Sequence, residues 1–221
     1  MPERTLAVTC IDWRKAQQSQ EALEEQGLKN GDYYLLSTAG AARNPDTINR
    51  INLPSTEPPF DSVIDESHLD CGFGKKAGDD SAKTHEDCAQ EFGKGLEEKS
   101  PSINYNYLIL PVREGDLEKH DCQAVAIILG KPEIVKAARE ELKKLGVSES
   151  HDEIARPFML SADDETIFGK NGDLQISLEL HHPTIIYIFD ESEENAMILM
   201  EKAKKIAEHI EIEPRVISIA A

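Results

Sequence analysis

Cysteine, histidine, acidic and basic side chains meet in two short segments of this sequence. Cys10 is followed closely by Asp12 and Arg14, and His68 is followed by Cys71. Two thiolates and one imidazole suit zinc, a borderline-soft ion that prefers four tetrahedral ligands. Three protein ligands leave the fourth position open, which is typical of a catalytic rather than a structural zinc site. The sequence therefore predicts zinc bound by Cys10, His68 and Cys71.

Asp12 and Arg14 are predicted to act beside that metal. Asp12 lies two residues after a ligand, within reach of the fourth position. Arg14 can hold the Asp12 carboxylate in a two-point hydrogen-bonded pair. Held there, Asp12 orients a water on the zinc; released, it can bind the zinc itself and block the site. An ordinary salt bridge at a strand end is the simpler alternative.

Strands that end on one edge of a sheet must position the two segments. Cys10 closes an apolar, β-branched strand predicted over 4–11, and His68 follows a more polar strand predicted over 60–66. In open α/β sheets, sites form outside the carboxyl ends of the strands. We therefore expect Cys10, His68 and Cys71 to meet at that edge.

Strands and helices alternate along the rest of the chain, which predicts an α/β fold with a mainly parallel sheet flanked by helices. The sequence leaves undecided whether the sheet becomes mixed, with an antiparallel strand, at its C-terminal edge. We expect one α/β domain over 1–221, with the zinc-site portion in 4–75 and a C-terminal portion, 101–221, of unknown role. No sequence repeat is strong enough to indicate a duplication, and residues 150–173 are predicted to be irregular. The further predicted strands are 33–37, 106–112, 123–129, 174–180, 184–189 and 214–219, and the predicted helices are 14–28, 81–92, 132–145 and 192–210.

Composition excludes several functional classes. Lys and Arg number 24 against 42 Asp and Glu, a net charge of −18, which repels nucleic acids and anionic membrane surfaces. No apolar run approaches the roughly 18 residues that cross a bilayer, and the N-terminus lacks the pattern of a secretory signal. A cytoplasmic protein is therefore expected, in which the four cysteines indicate metal binding or catalysis rather than disulfides.

The two motifs resemble those of the β-class carbonic anhydrases. In that family a Cys-x-Asp-x-Arg motif ends the first strand and a His-x-x-Cys-Gly motif ends a later one. The resemblance covers about residues 4–75 and implies a zinc lyase that hydrates carbon dioxide reversibly to bicarbonate. It also implies a homodimer or a higher homo-oligomer, because the family's active site lies near a subunit boundary. The residues that match are Cys10, Asp12, Arg14, His68, Cys71 and Gly72.

Because the sequence departs from the family pattern at several positions, a different substrate or a non-catalytic role is also consistent with it. Thr38 stands where the family has Asn before Ala-Gly, and the proline-rich stretch 43–59 replaces an apolar helix. The same zinc hydroxide can serve as a hydrolase of carbonyl sulfide or carbon disulfide, which are linear isosteres of carbon dioxide. A non-catalytic zinc-binding protein, with Asp12 capping the metal, is the other alternative. A second His-x-x-Cys pair, His85 and Cys88, is the alternative place for the metal, although no strand precedes it.

Overall fold

The chain folds as an alternation of strands and helices. The computed structural model describes residues 4–29, 31–51, 60–76, 78–114, 124–129, 132–145, 157–160, 167–169, 172–181, 183, 185–190, 192–208 and 213–218. In these ranges the strands are β1 (Thr5–Cys10), β2 (Tyr33–Thr38), β3 (Ser62–His68), β4 (Asn104–Leu110), β5 (Ala124–Leu129), β6 (Pro157–Leu160), β7 (Ile185–Asp190) and β8 (Glu213–Ser218). The α-helices are α1 (Ala16–Glu25), α2 (Thr47–Arg50), α3 (Gly72–Lys76), α4 (Ala82–Lys99), α5 (Pro132–Lys144), α6 (Asp173–His181) and α7 (Glu193–Ile206). None of the helices described is both long and apolar enough to cross a membrane.

The eight strands form two four-stranded sheets. The strand order is β2-β1-β3-β4 in the first sheet and β6-β5-β7-β8 in the second. Every pairing between these strands is parallel, so the predicted α/β class with a parallel sheet is confirmed. The alternative of a mixed sheet is not supported, since the described strands contain no antiparallel pairing. β4, which lies in the 101–221 portion, completes the first sheet.

Two apolar clusters cover opposite faces of the strands. Leu6 and Val8 of β1 belong to one cluster and Ala7 to the other, because successive side chains of a strand point to opposite faces. Both clusters draw on both sheets. The first cluster includes Phe92 and Leu96 of α4, Leu174 and Leu178 of α6, and Ile186 and Ile188 of β7. The second includes Leu23 of α1, Tyr33 and Leu35 of β2, Ile134, Val135, Ala138 and Leu142 of α5, and Tyr187 and Phe189 of β7.

The predicted strand over 174–180 is wrong, since this segment forms helix α6. Apolar residues alternate there as they do in a strand, but the helix buries Leu174, Ser177 and Leu178, which share one helical face. The strand that sequence analysis missed is β6, a four-residue strand within the segment predicted to be irregular.

The remaining elements agree with prediction to within a few residues at their ends, except that α4 extends to Lys99 and that the short helices α2 and α3 were not predicted. Residues 52–59 of the proline-rich stretch lie outside the described residues, as does Cys122.

Candidate metal centre

The three predicted metal ligands lie at the carboxyl ends of two neighbouring strands. Cys10 is the last residue of β1 and His68 is the last residue of β3, and these strands pair directly in parallel. Cys71 follows in a turn that begins with a hydrogen bond from the Leu69 N–H to the Leu110 carbonyl (3.0 Å). Asp70 takes a left-handed conformation in this turn (φ 67°). The predicted meeting of both motifs at one sheet edge is therefore confirmed.

The spacing of the three ligand atoms fits a tetrahedral ion. All three lie within 4.8 Å of one another, and the two sulfur atoms are 3.9 Å apart. Two sulfurs that each lie about 2.3 Å from a tetrahedral zinc are separated by about 3.8 Å. The residues are also sheltered from water, since Cys10, His68 and Cys71 are 5%, 1% and 2% exposed. The donor set and its spacing thus match a metal site.

The His68 ring leaves one nitrogen for a metal. Its Nδ1 lies 2.9 Å from the Leu69 carbonyl oxygen, so this nitrogen carries the proton and donates it. The buried Nε2 has no hydrogen-bond partner among the described residues. A buried imidazole nitrogen without a hydrogen bond is costly unless something else occupies its lone pair. Histidines that bind metals are usually held in this way: one ring nitrogen donates its proton to a neighbouring oxygen, and the other directs its lone pair at the metal.

The contact between the two sulfurs shifts their pKa values in opposite directions. A hydrogen bond from Cys10 lowers the pKa of Cys71 to about 4; its burial opposes this shift, and His68 supports it. The same contact, with burial, raises the pKa of Cys10, while the Gly40 backbone N–H acts in the opposite direction. Burial lowers the pKa of His68, but the nearby Cys71 sulfur and the Asp12 carboxylate outweigh this effect and raise it. A divalent ion would displace the shared proton and hold both sulfurs as thiolates.

Asp12 and Arg14 form the predicted two-point pair. The Arg14 Nε lies 2.9 Å from Asp12 Oδ1, and its Nη2 donates to Asp12 Oδ2. The Asp12 Oδ2 is also 3.7 Å from His68 Nε2, the nitrogen that faces the two sulfurs. The carboxylate is therefore beside the place where a metal would lie. Both side chains are largely buried, so this is not a solvent-exposed salt bridge.

Arg14 has a second carboxylate partner, which sequence analysis missed. Its Nη1 donates to Asp70 Oδ2 (2.9 Å), and Asp70 also forms an ion pair with Lys75. Burial alone would raise the pKa of Asp70, but Lys75 and Arg14 lower it below its usual value. Asp70 stands between His68 and Cys71 in the chain, and its acidic character was the only signal that could have indicated this role.

A buried polar network supports the turn that carries Cys71. Asp80 accepts a hydrogen bond from the Asp70 backbone N–H (2.6 Å) and one from Arg43 Nη1 (3.0 Å). His85 Nε2 is bound to the same Asp80 carboxylate (2.9 Å). His85 thus takes part in positioning the turn, and Cys88 is partly exposed. Across the described ranges, the only group of three that could hold a metal is Cys10, His68 and Cys71, so the alternative pair His85 and Cys88 gains no support.

The turn after β1 is fixed on both sides. The Ile11 N–H donates to the Thr38 carbonyl at the end of β2 (3.3 Å), and the Lys15 Nζ donates to the Pro111 carbonyl just after β4 (2.7 Å). Lys15 is itself 1% exposed, so its charge lies inside the protein. These contacts hold the segment from Ile11 to Lys15 against the ends of β2 and β4.

Comparisons with protein-family models, with curated proteins and with solved structures give no significant match to this chain. Its function therefore has to be argued from the site. The buried Cys10, His68 and Cys71 are close enough together to bind a metal ion, and an acidic side chain held by an arginine lies next to them.

Proposed function

We propose that this protein is a zinc-dependent enzyme that hydrates carbon dioxide reversibly to bicarbonate. The observation that supports the proposal most is the position of Asp12: it lies beside three buried metal ligands and is held by Arg14. A purely structural zinc site has four protein ligands and needs no such carboxylate. The resemblance of both motifs to β-class carbonic anhydrases supports the same reaction.

Zinc is the metal that this donor set favours. Two thiolates cancel its double charge, so that the ion can lie in a pocket largely closed to water, and the imidazole completes three of four tetrahedral positions. Zinc bound here supplies a Lewis acid that lets water ionise near neutral pH. The remaining steps belong to the side chains around it.

Asp12 has the role of orienting the reactants. Its carboxylate can only accept hydrogen bonds while ionised, so it favours a nucleophile whose hydrogen points toward Asp12 and whose lone pair points away. Carbon dioxide is small, linear and uncharged, so the apolar cluster that includes Cys10 and Cys71 imposes no desolvation cost of a charge on its approach. Bicarbonate leaves as an anion, and the net charge of −18 favours its departure into solvent.

Arg14 keeps Asp12 in this role. Its guanidinium lies between Asp12 and Asp70 and bonds to both, so its position is set by two carboxylates rather than one. If the hydrogen bonds from Arg14 were lost, Asp12 would be a buried anion beside a bound metal cation, and that cation would be its strongest electrostatic partner. With a metal bound, Asp12 would either stay on Arg14, as it does in this structure, or move to the metal, and only the first arrangement would leave room for substrate.

Metal analysis and initial-rate assays test the proposal. We expect about one zinc per chain with two sulfur ligands and one nitrogen ligand by X-ray absorption, and hydration of carbon dioxide in stopped-flow. Parallel assays with carbonyl sulfide and carbon disulfide test the alternative substrates. Zinc without turnover of any of the three would indicate the non-catalytic protein, with Asp12 as fourth ligand. Absence of stoichiometric metal would reject the central claim.

The cytoplasmic location expected from composition and the homodimer or higher homo-oligomer implied by the resemblance are also part of the proposal. Both stay predictions. Light scattering at several protein concentrations tests the second of them, with about 25 kDa expected for a single chain.

A further inference from the structure

The two sheets repeat one topology. In the first, β1 lies between β2 and β3, with β4 outside β3; in the second, β5 lies between β6 and β7, with β8 outside β7. A helix follows the first strand of each sheet (α1 and α5), and another joins the third and fourth strands (α4 and α7). All the pairings are parallel. The second sheet and its helices therefore repeat the arrangement that carries the metal centre.

Most of the pairing registers agree between the two sheets. Thr5 of β1 is opposite Ser62 of β3, and Ala124 of β5 is opposite Ile185 of β7, each at the start of its strand. The first residues of β3 and β4 are also opposite each other, as are those of β7 and β8. The remaining pair differs, because β2 starts opposite the first residue of β1, whereas β6 starts opposite Ala126, the third residue of β5. The four strands thus match in order and direction, and three of them match in register.

The repeat lacks the thiolate ligands. Leu129 ends β5 where Cys10 ends β1. Counting from the aligned strand starts Ser62 and Ile185, Glu194 stands at the position of Cys71. A leucine cannot bind a metal, and the group of potential ligands in the described residues lies in the first half alone. The second half is therefore not a second metal centre of the same kind.

The second half does contact the first half next to the metal centre. Strand β6 lies alongside β2, the edge strand of the first sheet. Leu174 and Leu178 of α6 belong to the apolar cluster that includes Cys10 and Cys71. On the other face Arg139 of α5 donates to the Tyr33 hydroxyl of β2 (3.1 Å).

Asp173, the first residue of α6, reaches the turn that supports Cys10. Its Oδ1 accepts a hydrogen bond from the Ala39 backbone N–H (3.2 Å), and its side chain is buried at 2% exposure. Ala39 is followed by Gly40, whose left-handed backbone (φ 83°) starts the turn and whose N–H donates to Cys10. Asp173 therefore anchors one end of a two-residue turn whose other end contacts a metal ligand.

We infer that the C-terminal half acts as a built-in partner: a metal-free repeat of the first half that completes the metal centre, with Asp173 as the positioning residue. The inference rests on the metal centre of the proposed function but not on its substrate. It assigns a role to the described residues of the range 124–218, because Asp173 supports the turn next to Cys10 and α6 packs in the same apolar cluster as Cys10 and Cys71. A carboxylate suits the task because it makes a charge-assisted hydrogen bond to a buried backbone N–H.

The test is the metal affinity and the cobalt spectrum of Asp173 variants of the full chain. Asp173→Ala should weaken zinc binding about tenfold in chelator competition, because it frees the turn whose Gly40 N–H contacts Cys10, and loss of such an outer partner of a ligand typically costs that much. Asp173→Asn should weaken it by roughly threefold, since a neutral oxygen is the weaker acceptor. In both variants the thiolate-to-cobalt charge-transfer bands should shift, because the Gly40 N–H no longer holds Cys10 as firmly.

Glu193→Ala is the matched control, since Glu193 also lies in the first turn of a helix of the second half but is exposed. It should leave affinity and spectrum unchanged. Parent-like affinity and spectrum in Asp173→Asn would overturn the inference, and this variant decides the matter if Asp173→Ala does not fold. Failure of the parent to bind metal would instead reject the proposed function, so the two failures are distinguishable.

Discussion

The Arg14 guanidinium contacts both carboxylate oxygens of Asp12, with its Nε 2.9 Å from Oδ1 and 3.1 Å from Oδ2. The two side chains lie in one short turn, two residues apart, so little chain entropy opposes the pair. The contact is buried, where an ion pair is screened less than at the surface. Losing Arg14 therefore leaves Asp12 as an unpaired buried charge next to a metal site.

We predict that Arg14→Ala keeps its zinc but loses activity by roughly 10- to 100-fold. The physical reason is that Asp12 then moves onto the metal and fills the position that the substrate's nucleophile needs. Zinc content and carbon dioxide hydration rate, measured across about pH 6 to 9, check this. Asp12→Ala should also keep zinc and lose activity, with the fourth position left open.

Arg4→Ala is the control for the arginine substitution. Arg4 forms an exposed ion pair with Asp61 at the opposite end of β1 from the metal site. It should behave like the parent in both assays. An Arg14→Ala variant with parental rates throughout the pH range would show that the Asp12–Arg14 pair has no part in catalysis.

We predict that Cys10→Ala and Cys71→Ala each abolish stoichiometric zinc binding. Each change removes one thiolate of the two that neutralise the ion, and leaves two protein ligands where at least three are needed. Cys88→Ala is the matched control, because Cys88 is partly exposed and outside the ligand group. It should retain about one zinc per chain by elemental analysis. Loss of metal from Cys88→Ala alone would mean that the wrong His-x-x-Cys pair was chosen.

The site could be predicted from the sequence more fully than the fold could. Cys10 and His68 are residue types that commonly bind metals, so their identity alone indicates a metal site. Apolar, β-branched residues before each of them indicate the strand that positions it. Asp80 and Asp173 are ordinary acidic residues far along the chain, and only the folded contacts show that they bond to Asp70 and Ala39. Sequence spacing carries no information on such contacts.

The C-terminal half shows the same limit for secondary structure. Apolar residues alternate along α6 as they do in a strand, but burial of Leu174 and Leu178 in the core stabilises the helix instead. The repeated topology of the two halves is also invisible in the sequence. Pairing order is kept, and so is the register of the first strand with the third, while residue types differ, as with Leu129 at the position of Cys10.

We predict that Gly40→Ala weakens both stability and metal binding. Gly40 has a positive φ of 83°, and a Cβ added there would lie 2.8 Å from the Phe73 ring. The turn would have to move, and with it the N–H that supports Cys10. Gly27→Ala is a close control, since its φ is 85° but its added Cβ would have nothing within 4 Å. It should cost about 1 kcal/mol in backbone strain alone and leave zinc affinity unchanged.

Urea unfolding and chelator competition separate these two effects. Gly40→Ala should lose clearly more stability than Gly27→Ala and also bind zinc more weakly. Equal losses in the two variants, with equal zinc affinity, would show that only the backbone conformation matters and that the contact with Phe73 does not.

Asp65 of β3 makes the protein's stability depend on pH. Burial raises the pKa of this carboxyl from 3.8 to about 7, although the Ala42 N–H and the Ser67 hydroxyl partly compensate. Unfolded, the group ionises near pH 4; folded, it stays protonated until about pH 7. Between these values the folded state binds more protons, so the free energy of unfolding falls as the pH rises. Tyr105 and Cys88 are the titratable neighbours that interact with it.

We predict that Asp65→Asn removes this dependence. Asparagine can still accept from the Ala42 N–H and bond to Ser67, but it cannot ionise. The free energy of unfolding of the variant should exceed that of the parent only slightly at pH 4 and by up to about 4 kcal/mol above pH 7. Urea unfolding of both proteins across that pH range measures this difference. Asp61→Asn should show the opposite sign, because Arg4 holds the pKa of that exposed carboxyl below its ordinary value. Its ionised form stabilises the fold, so the variant should be less stable at neutral pH and approach the parent in acid. A stability difference between Asp65→Asn and the parent that is the same at every pH would mean that Asp65 stays ionised, or stays neutral, throughout the range.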